Sequence, residues 1–238
     1  MRIVSLVPSW SEWLVDLGVE PVGVTRFCVH PEGLHRRVAR VGGTKQVDVP
    51  RVHALKPDLV IACREENVKT QVEALDVPVL VTDASTVEGA WKDMLRIAEA
   101  VGRADQGRDW VSRIQTAWGQ PRTAEWTAAY AIWREPWMVA GGDTYIHDVL
   151  SWWGVANAFA DELRYPEATD WRAAEVVLLS SEPYPFREAH VKLLRQEGQT
   201  ALLVNGEAFS WYGSRMLHAV QDLRALRSDI SRALSRKT

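Results

Sequence analysis

The chain has 238 residues, 47% of them apolar, enough for one large domain or two small ones with full cores. Its 28 Lys and Arg stand against 31 Asp and Glu, and each half is close to balance, with 15 against 16 in residues 1–119 and 13 against 15 in residues 120–238. That excludes the basic footprint of a nucleic-acid binder, while the absence of any apolar run of about 18 residues excludes a helical membrane span.

Two cysteines, Cys28 and Cys63, make no disulfide framework; both flank apolar stretches and are read as buried thiols. Twelve tryptophans are the compositional outlier. A buried indole N–H wants a partner, so this abundance leaves several rings for a ligand surface. Near the start, the apolar segment Ile3 to Val7 is stopped by Pro8 and is too short for a secretion signal. A cytoplasmic location is expected if the chain is complete, and a periplasmic or extracytoplasmic one if a signal has been removed.

In chain order, RIVSLVPSWSEWLVDLG reads as a short strand running into a helix, with Ser9 and Glu12 as a capping box and Gly18 as the stop. Residues 57–63 and 77–82 are continuous apolar runs around a helical pattern from Asn67 to Leu75, a strand–helix–strand unit of a parallel sheet. Ser85 and Glu88 form a second capping box. The apolar spacing that follows predicts one long helix to Trp118, kinked between Gly102 and Asp105.

The second half repeats this grammar. Residues 129–133 and 137–141 predict a strand pair, followed by a helix from Tyr145 to Trp153. Residues 175–182, a helix from Arg187 to Gln196, and residues 200–206 make a second strand–helix–strand unit, offset by 117 residues from the first. Ser214 is expected to cap a final helix carrying Met216, Leu217, Val220, Leu223, Ile230 and Leu234. The fold class is α/β, with two similar lobes joined by a helix: 1–85, a bridging 86–120, and 121–238.

In such sheets ligands bind beyond the carboxyl ends of the strands. The residues expected there are Pro8, Ser9, Cys63, Arg64, Ser181 to Tyr184 with Glu182 among them, and Phe209, Trp211 and Tyr212. Aromatic walls with few polar anchors suit a small-molecule site. Plainer roles stand beside these: Ser9 as a helix cap, Glu182 as a solvated loop acid, and Trp211 with Tyr212 as cover for the core. Arg215, in a first helical turn, opposes the dipole and calls for a carboxylate or a ligand anion. No GxGxxG, GxSxG, Walker A or HExxH pattern occurs, Gly42-Gly43-Thr44-Lys45 lacks P-loop spacing, and the six histidines lack metal-ligand spacing. No catalytic residue, metal ligand or required cofactor is assigned.

The segments VSLVPSWSEWLVDLG, PVGVTRFC, VGGTKQVDVPRVHALKPDLVIA, SSEPYPFREAHV and VNGEAFSWYGSR, in this order along nearly the whole chain, resemble the cobalamin-binding, class III periplasmic binding proteins, also called helical-backbone metal receptors. The resemblance implies two Rossmann-like lobes with mostly parallel sheets bridged by a long rigid helix, and a ligand held between them. It also implies a non-catalytic, monomeric substrate-binding protein that passes cobalamin, haem or another metal chelate to an ABC permease. By position it assigns ligand contacts to Phe27 or Cys28, Trp133, Tyr165 and Trp211, with Tyr212 beside them and Arg64, Glu182 and Arg215 as orienting charges. Thr44 and Cys63 stand where vitamin B12 receptors are expected to carry tryptophans. Acids that would dock a permease fall at Pro50 and Trp171, with Asp48 and Asp170 adjacent. A cytoplasmic corrinoid-, haem- or siderophore-handling protein or enzyme on the same scaffold is the alternative; an aromatic surface for a protein partner is a third.

Overall fold

The computed structural model describes residues 1–235. The chain divides into two compact units, the first made of Met1–Ala84, Glu88–Thr116 and Tyr212–Met216, the second of Ser85–Val87, Ala117–Trp211 and the chain from Leu217 onward. Each is an α/β body, as the sequence pattern requires.

The first unit carries strands β1 (Ile3–Ser5), β2 (Gly23–Val24), β3 (Ala39–Arg40), β4 (Leu59–Cys63) and β5 (Val79–Thr82). They form one sheet in the order β3-β2-β1-β4-β5, all parallel, with Val4 opposite both Gly23 and Val60. The order reverses between β1 and β4, which makes that pair the switch point where loops diverge and ligands enter. Strand β4 reads as an unbroken apolar run because helices cover both faces, and β1 is buried throughout, its Ser5 included. One face packs as Val4, Leu6, Val41, Val52, Val60, Ala62 and Leu75; the other includes Val24, Cys28 and Leu34. The two-residue strands β2 and β3 were not visible in the periodicity.

Helix α1 (Pro8–Asp16) starts one residue earlier than the expected cap. Pro8 lacks an N–H and has a φ suited to the first helical position, so Val7 is the N-cap and Ser9 lies inside the first turn without capping. Short helices α2 (Leu34–Arg37), α3 (Val49–Ala54) and α4 (Lys69–Glu73) complete the crossovers. Asp48 accepts from the Arg51 amide at 3.0 Å and so caps α3.

The single kinked helix expected after Ser85 is instead two helices, α5 (Val87–Ala100) and α6 (Ala104–Trp118). Gly102 has φ +69°, and the Arg103 amide bonds back to the Ala98 carbonyl at 2.7 Å, which closes the first helix. Gly107 then lies directly against Ala98, where an added Cβ would come within 2.4 Å of the alanine methyl. The second helix therefore folds against the end of the first. Residues 88–116 fall within the first unit.

The second unit contains β6 (Trp126–Trp133), β7 (Met138–Val139), α7 (Tyr145–Trp152), β8 (Val155–Asn157), β9 (Val176–Ser180), α8 (Glu188–Gln196), β10 (Ala201–Val204), α9 (Glu207–Ser210) and most of α10 (Arg215–Ser235). The order is β10-β9-β6-β7, with β8 pairing the first part of β6. All pairings are parallel except β6 with β7, the strand pair expected from the sequence. The register shifts between Ala131 and Trp133, an irregularity of the kind that re-aims a side chain. Trp133 emerges exposed at the end of β6.

Residues Tyr212–Met216 return to the first unit and close it. Tyr212 packs on Trp10 with ring centroids 4.9 Å apart. Gly213, at φ +78°, lets the chain lie on α1: an added Cβ would sit 3.2 Å from the Trp13 Cβ. Arg215 donates to both oxygens of Glu12, at 2.7 and 2.6 Å, so of its two expected partners the structure holds the carboxylate. That pair also takes Glu12 out of the expected capping box. The Ser214 hydroxyl is buried and makes no hydrogen bond, so it does not cap α10 as expected; the Met216 amide bonds to the Gly213 carbonyl instead.

The Glu12 and Arg215 side chains are only 10% and 19% exposed. Replacing Arg215 with Met strands a largely buried carboxylate and is expected to lower the unfolding free energy by about 3 kcal/mol. The measurement is the urea midpoint at unchanged slope.

Candidate functional site

At the carboxyl edge of the first sheet, the loops after β1, β3 and β4 have no regular structure of their own. Their backbone polar groups still need partners. Asn67, 6% exposed, supplies them: its amide oxygen accepts from the Cys63 amide at 2.8 Å, and its amide nitrogen donates to the Thr44 carbonyl at 3.0 Å and the Leu6 carbonyl at 3.3 Å. One side chain ties three loops at the switch point. The Gly42–Val47 segment is thereby a pinned hairpin turn, with the Gly43 amide on the Gln46 carbonyl and the Val47 amide on Gln71.

Around this tie stand the expected residues. Pro8 and Ser9 are buried in the first turn of α1. Thr44 is half-buried at the hairpin tip, and Lys45 donates to the Glu65 carbonyl. Arg64 is exposed and pairs with Asp83 at 3.0 Å. Of the alternatives Phe27 and Cys28, the structure puts Phe27 outside, 48% exposed, and Cys28 inside at 0%. The Cys28 thiol lies 3.0 Å from the Ser11 hydroxyl and 3.3 Å from that of Thr25, which encloses it and removes it from any ligand surface.

Cys63 is also enclosed, 3.7 Å from the Tyr212 hydroxyl, which donates to Glu66 at 3.2 Å. Burial pushes the Tyr212 phenol well above its usual range, with the Glu66 charge adding to the effect, so it stays protonated. Tyr212 is 4% exposed, which fits core cover better than the pocket wall expected of it. Thr82 completes the edge by accepting from the Trp10 indole at 2.9 Å and donating to the Ala62 carbonyl at 3.1 Å.

The second unit builds its carboxyl edge from the ends of β6, β9 and β10. Trp133, 42% exposed, stands edge-on to Tyr184 with centroids 5.5 Å apart. Glu182 is not a free loop acid. Its Oε1 accepts from the Ser210 hydroxyl at 2.5 Å and from the Trp211 indole at 2.9 Å, locking the β9 loop to the segment after α9. Trp211 is 8% exposed, so this indole also serves the fold's interior. Beneath it the Tyr130 hydroxyl donates to Ser180 at 3.1 Å, and its ring packs on Phe209 at 4.9 Å. Tyr165 lies half-buried in the stretch beside β7, where the Val139 amide bonds to the Pro166 carbonyl.

Within the first unit the structure thus brings together Pro8, Ser9, Thr44, Cys63 and Tyr212, with Phe27 and Arg64 on the rim. Within the second it joins Trp133 to Tyr184 and Glu182 to Trp211. Asn67, Thr82 and Ser210 carry no signal in the sequence that marks them for the site. Tyr184, expected in the loop after β9, stands there against Trp133. Surface depressions beside β5, lined by Val72, Pro78 and Val81, and between β10 and α10, lined by Thr200, Leu202 and Arg232, include no residue of either edge. No group of three or more His, Cys, Asp or Glu able to hold a metal occurs among the described residues.

Asn67→Leu would leave two carbonyls and one amide buried without partners. It is expected to cost about 3 kcal/mol of stability, seen in urea unfolding. Burial raises both thiols, Glu66 adding to the effect at Cys63. Neither is expected to react with a disulfide-exchange reagent at about pH 8 in the native protein, and both should react once it is denatured.

The vitamin B12-binding protein of Yersinia pestis (strain Pestoides F) is 25% identical over 240 residues, covering 93% of this chain and 84% of that protein. Among solved structures, the periplasmic heme-binding protein BhuT in complex with two hemes superposes with a TM-score of 0.81 at 21% identity, over 98% of both chains. The periplasmic vitamin B12 binding protein BtuF of Vibrio cholerae gives 0.75 at 19% identity, over 97% of both. These likenesses show the two-lobed α/β fold with mostly parallel sheets. The family model described as periplasmic binding protein matches residues 3–175, well over half of the sequence. The chain belongs to the periplasmic binding protein family.

Proposed function

We propose that this protein is a substrate-binding protein for ABC-type uptake, and that its ligand is a corrinoid, a haem or a comparable large metal chelate. The observation that carries the reading is the placement of exposed rings. Phe27 and Trp133, at 48% and 42% exposure, sit at the carboxyl ends of β2 and β6, one on each unit. Exposed rings at strand ends offer flat apolar surface, and a broad planar ligand gains by covering such a ring through stacking and apolar burial. The family membership and the relatives, named as vitamin B12-binding and heme-binding proteins, support the same ligand class.

The protein acts by binding alone in this reading. It needs no cofactor of its own, and the metal arrives as cargo within the ligand. Tyr184 extends the Trp133 surface, while Glu182 fixes its loop. Thr44 and the enclosed Cys63 leave the first unit's edge with Phe27 as an exposed ring, and the second unit's edge offers Trp133. The solved relatives are named as periplasmic, so the proposed place of action is extracytoplasmic, next to a permease. The cytoplasmic expectation gains no support from them.

Cyanocobalamin and haemin are expected to bind with a shift of their visible bands and quenching of tryptophan fluorescence. Trp133→Ala should weaken binding of the accepted ligand by roughly tenfold while leaving the melting temperature in place. Absence of any spectral or fluorescence change with both compounds would refute this ligand class.

A further inference from the structure

Three cationic side chains stand at the carboxyl edge of the first sheet: Arg26 after β2, Lys45 in the loop after β3, and Arg64 after β4. Two are committed. Lys45 donates to the Glu65 carbonyl, and Arg64 is paired with Asp83. Arg26 has no carboxylate or carbonyl partner for its guanidinium among the described residues, although its backbone amide is fixed to the Gly42 carbonyl at 2.9 Å.

The Arg26 guanidinium nevertheless has a defined seat. Its carbon lies 5.0 Å from the centroid of the Phe27 ring. Beside both groups is Gly43, where an added Cβ would come 3.3 Å from Nη2 of Arg26 and 3.2 Å from Cε2 of Phe27. The bare glycine lets the cation and the ring lie close against the hairpin that Asn67 pins. Stacking occupies the face of a guanidinium and leaves its in-plane N–H donors unspent, in the fork that matches a carboxylate or phosphate. A seated arginine has also lost part of the rotamer freedom that a solvated one would give up on binding.

We propose that Arg26 is a specificity-determining residue: seated on Phe27 and Gly43, it receives an oxyanion, carboxylate or phosphate, on the rim of the bound macrocycle. This rests on the proposed function and adds the charge that the ligand must carry.

Two matched pairs of ligands test it, each measured by Kd on wild type, Arg26→Gln and Arg26→Lys. Haemin, with two carboxylates, is compared with its dimethyl ester; cyanocobalamin, with one phosphodiester, is compared with dicyanocobinamide, which lacks it. Arg26→Gln should weaken binding of the member that carries the oxyanion in one pair by roughly tenfold and its counterpart without it by less than twofold. Arg26→Lys should fall between, keeping charge but losing the planar fork, and the melting temperature should not move. The pair that responds tells whether the oxyanion is a carboxylate or a phosphate. Equal losses within a pair, or no loss in either, overturn the role of Arg26 while the binding function stands. Failure of the wild type to bind any of the four overturns the function and this role with it.

Discussion

The carboxyl edge of the first sheet depends on a single buried amide. Three loops meet at the switch point, none can satisfy its own backbone, and Asn67 offers one acceptor and two donors to them. A carboxylate there would face two carbonyls without a proton to give, and a hydroxyl could not reach all three groups. The second unit solves the same problem with an acid. Glu182 faces only donors, the Ser210 hydroxyl and the Trp211 indole, so an anion suits it as the neutral amide suits Asn67. Both edges are rigid because each is fastened by one side chain whose hydrogen-bonding character matches its partners.

That rigidity bears on the tryptophans. Their number suggested a surplus for ligand contact, yet most are structural: Trp10 donates to Thr82, Trp13 to the Met94 carbonyl and Trp211 to Glu182. Trp118 packs edge-on against Trp152 and Trp153 within the second unit. Trp133 is the large exposed exception, and the irregular register at the end of β6 is what exposes it. Composition revealed that indoles matter here; only the strand's local geometry distinguishes the one that faces water.

The longer elements were legible because burial on both faces leaves an unbroken apolar run, as in β4 and β9. Strands β2 and β3 were not, since two residues carry no periodicity and exist only through pairing with β1 and with each other. The caps at Ser9 and Ser214 failed for a related reason: a serine near a helix start is a local signal, and here Pro8 and the Gly213 turn decide where the backbone enters. The break between α5 and α6 lay in plain view at Gly102, but matching amphipathic patterns on both sides made a kink and a fold-back look alike. Asn67 and the Glu12–Arg215 pair were invisible for a stronger reason. Their meaning lies in partners far along the chain, 203 residues apart in the case of the ion pair.

The return of Tyr212–Met216 to the first unit sets an order of events during synthesis. The sheet of that unit and helices α5 and α6 are all made by residue 118, yet the ring that covers Trp10 and the guanidinium that neutralises Glu12 come only with Tyr212 and Arg215. Until the ribosome has released those residues, the first unit carries a bare indole and an uncompensated acid on α1. Its maturation therefore waits for the second unit to be translated, and a fragment cut anywhere between the two begins life with that wound open.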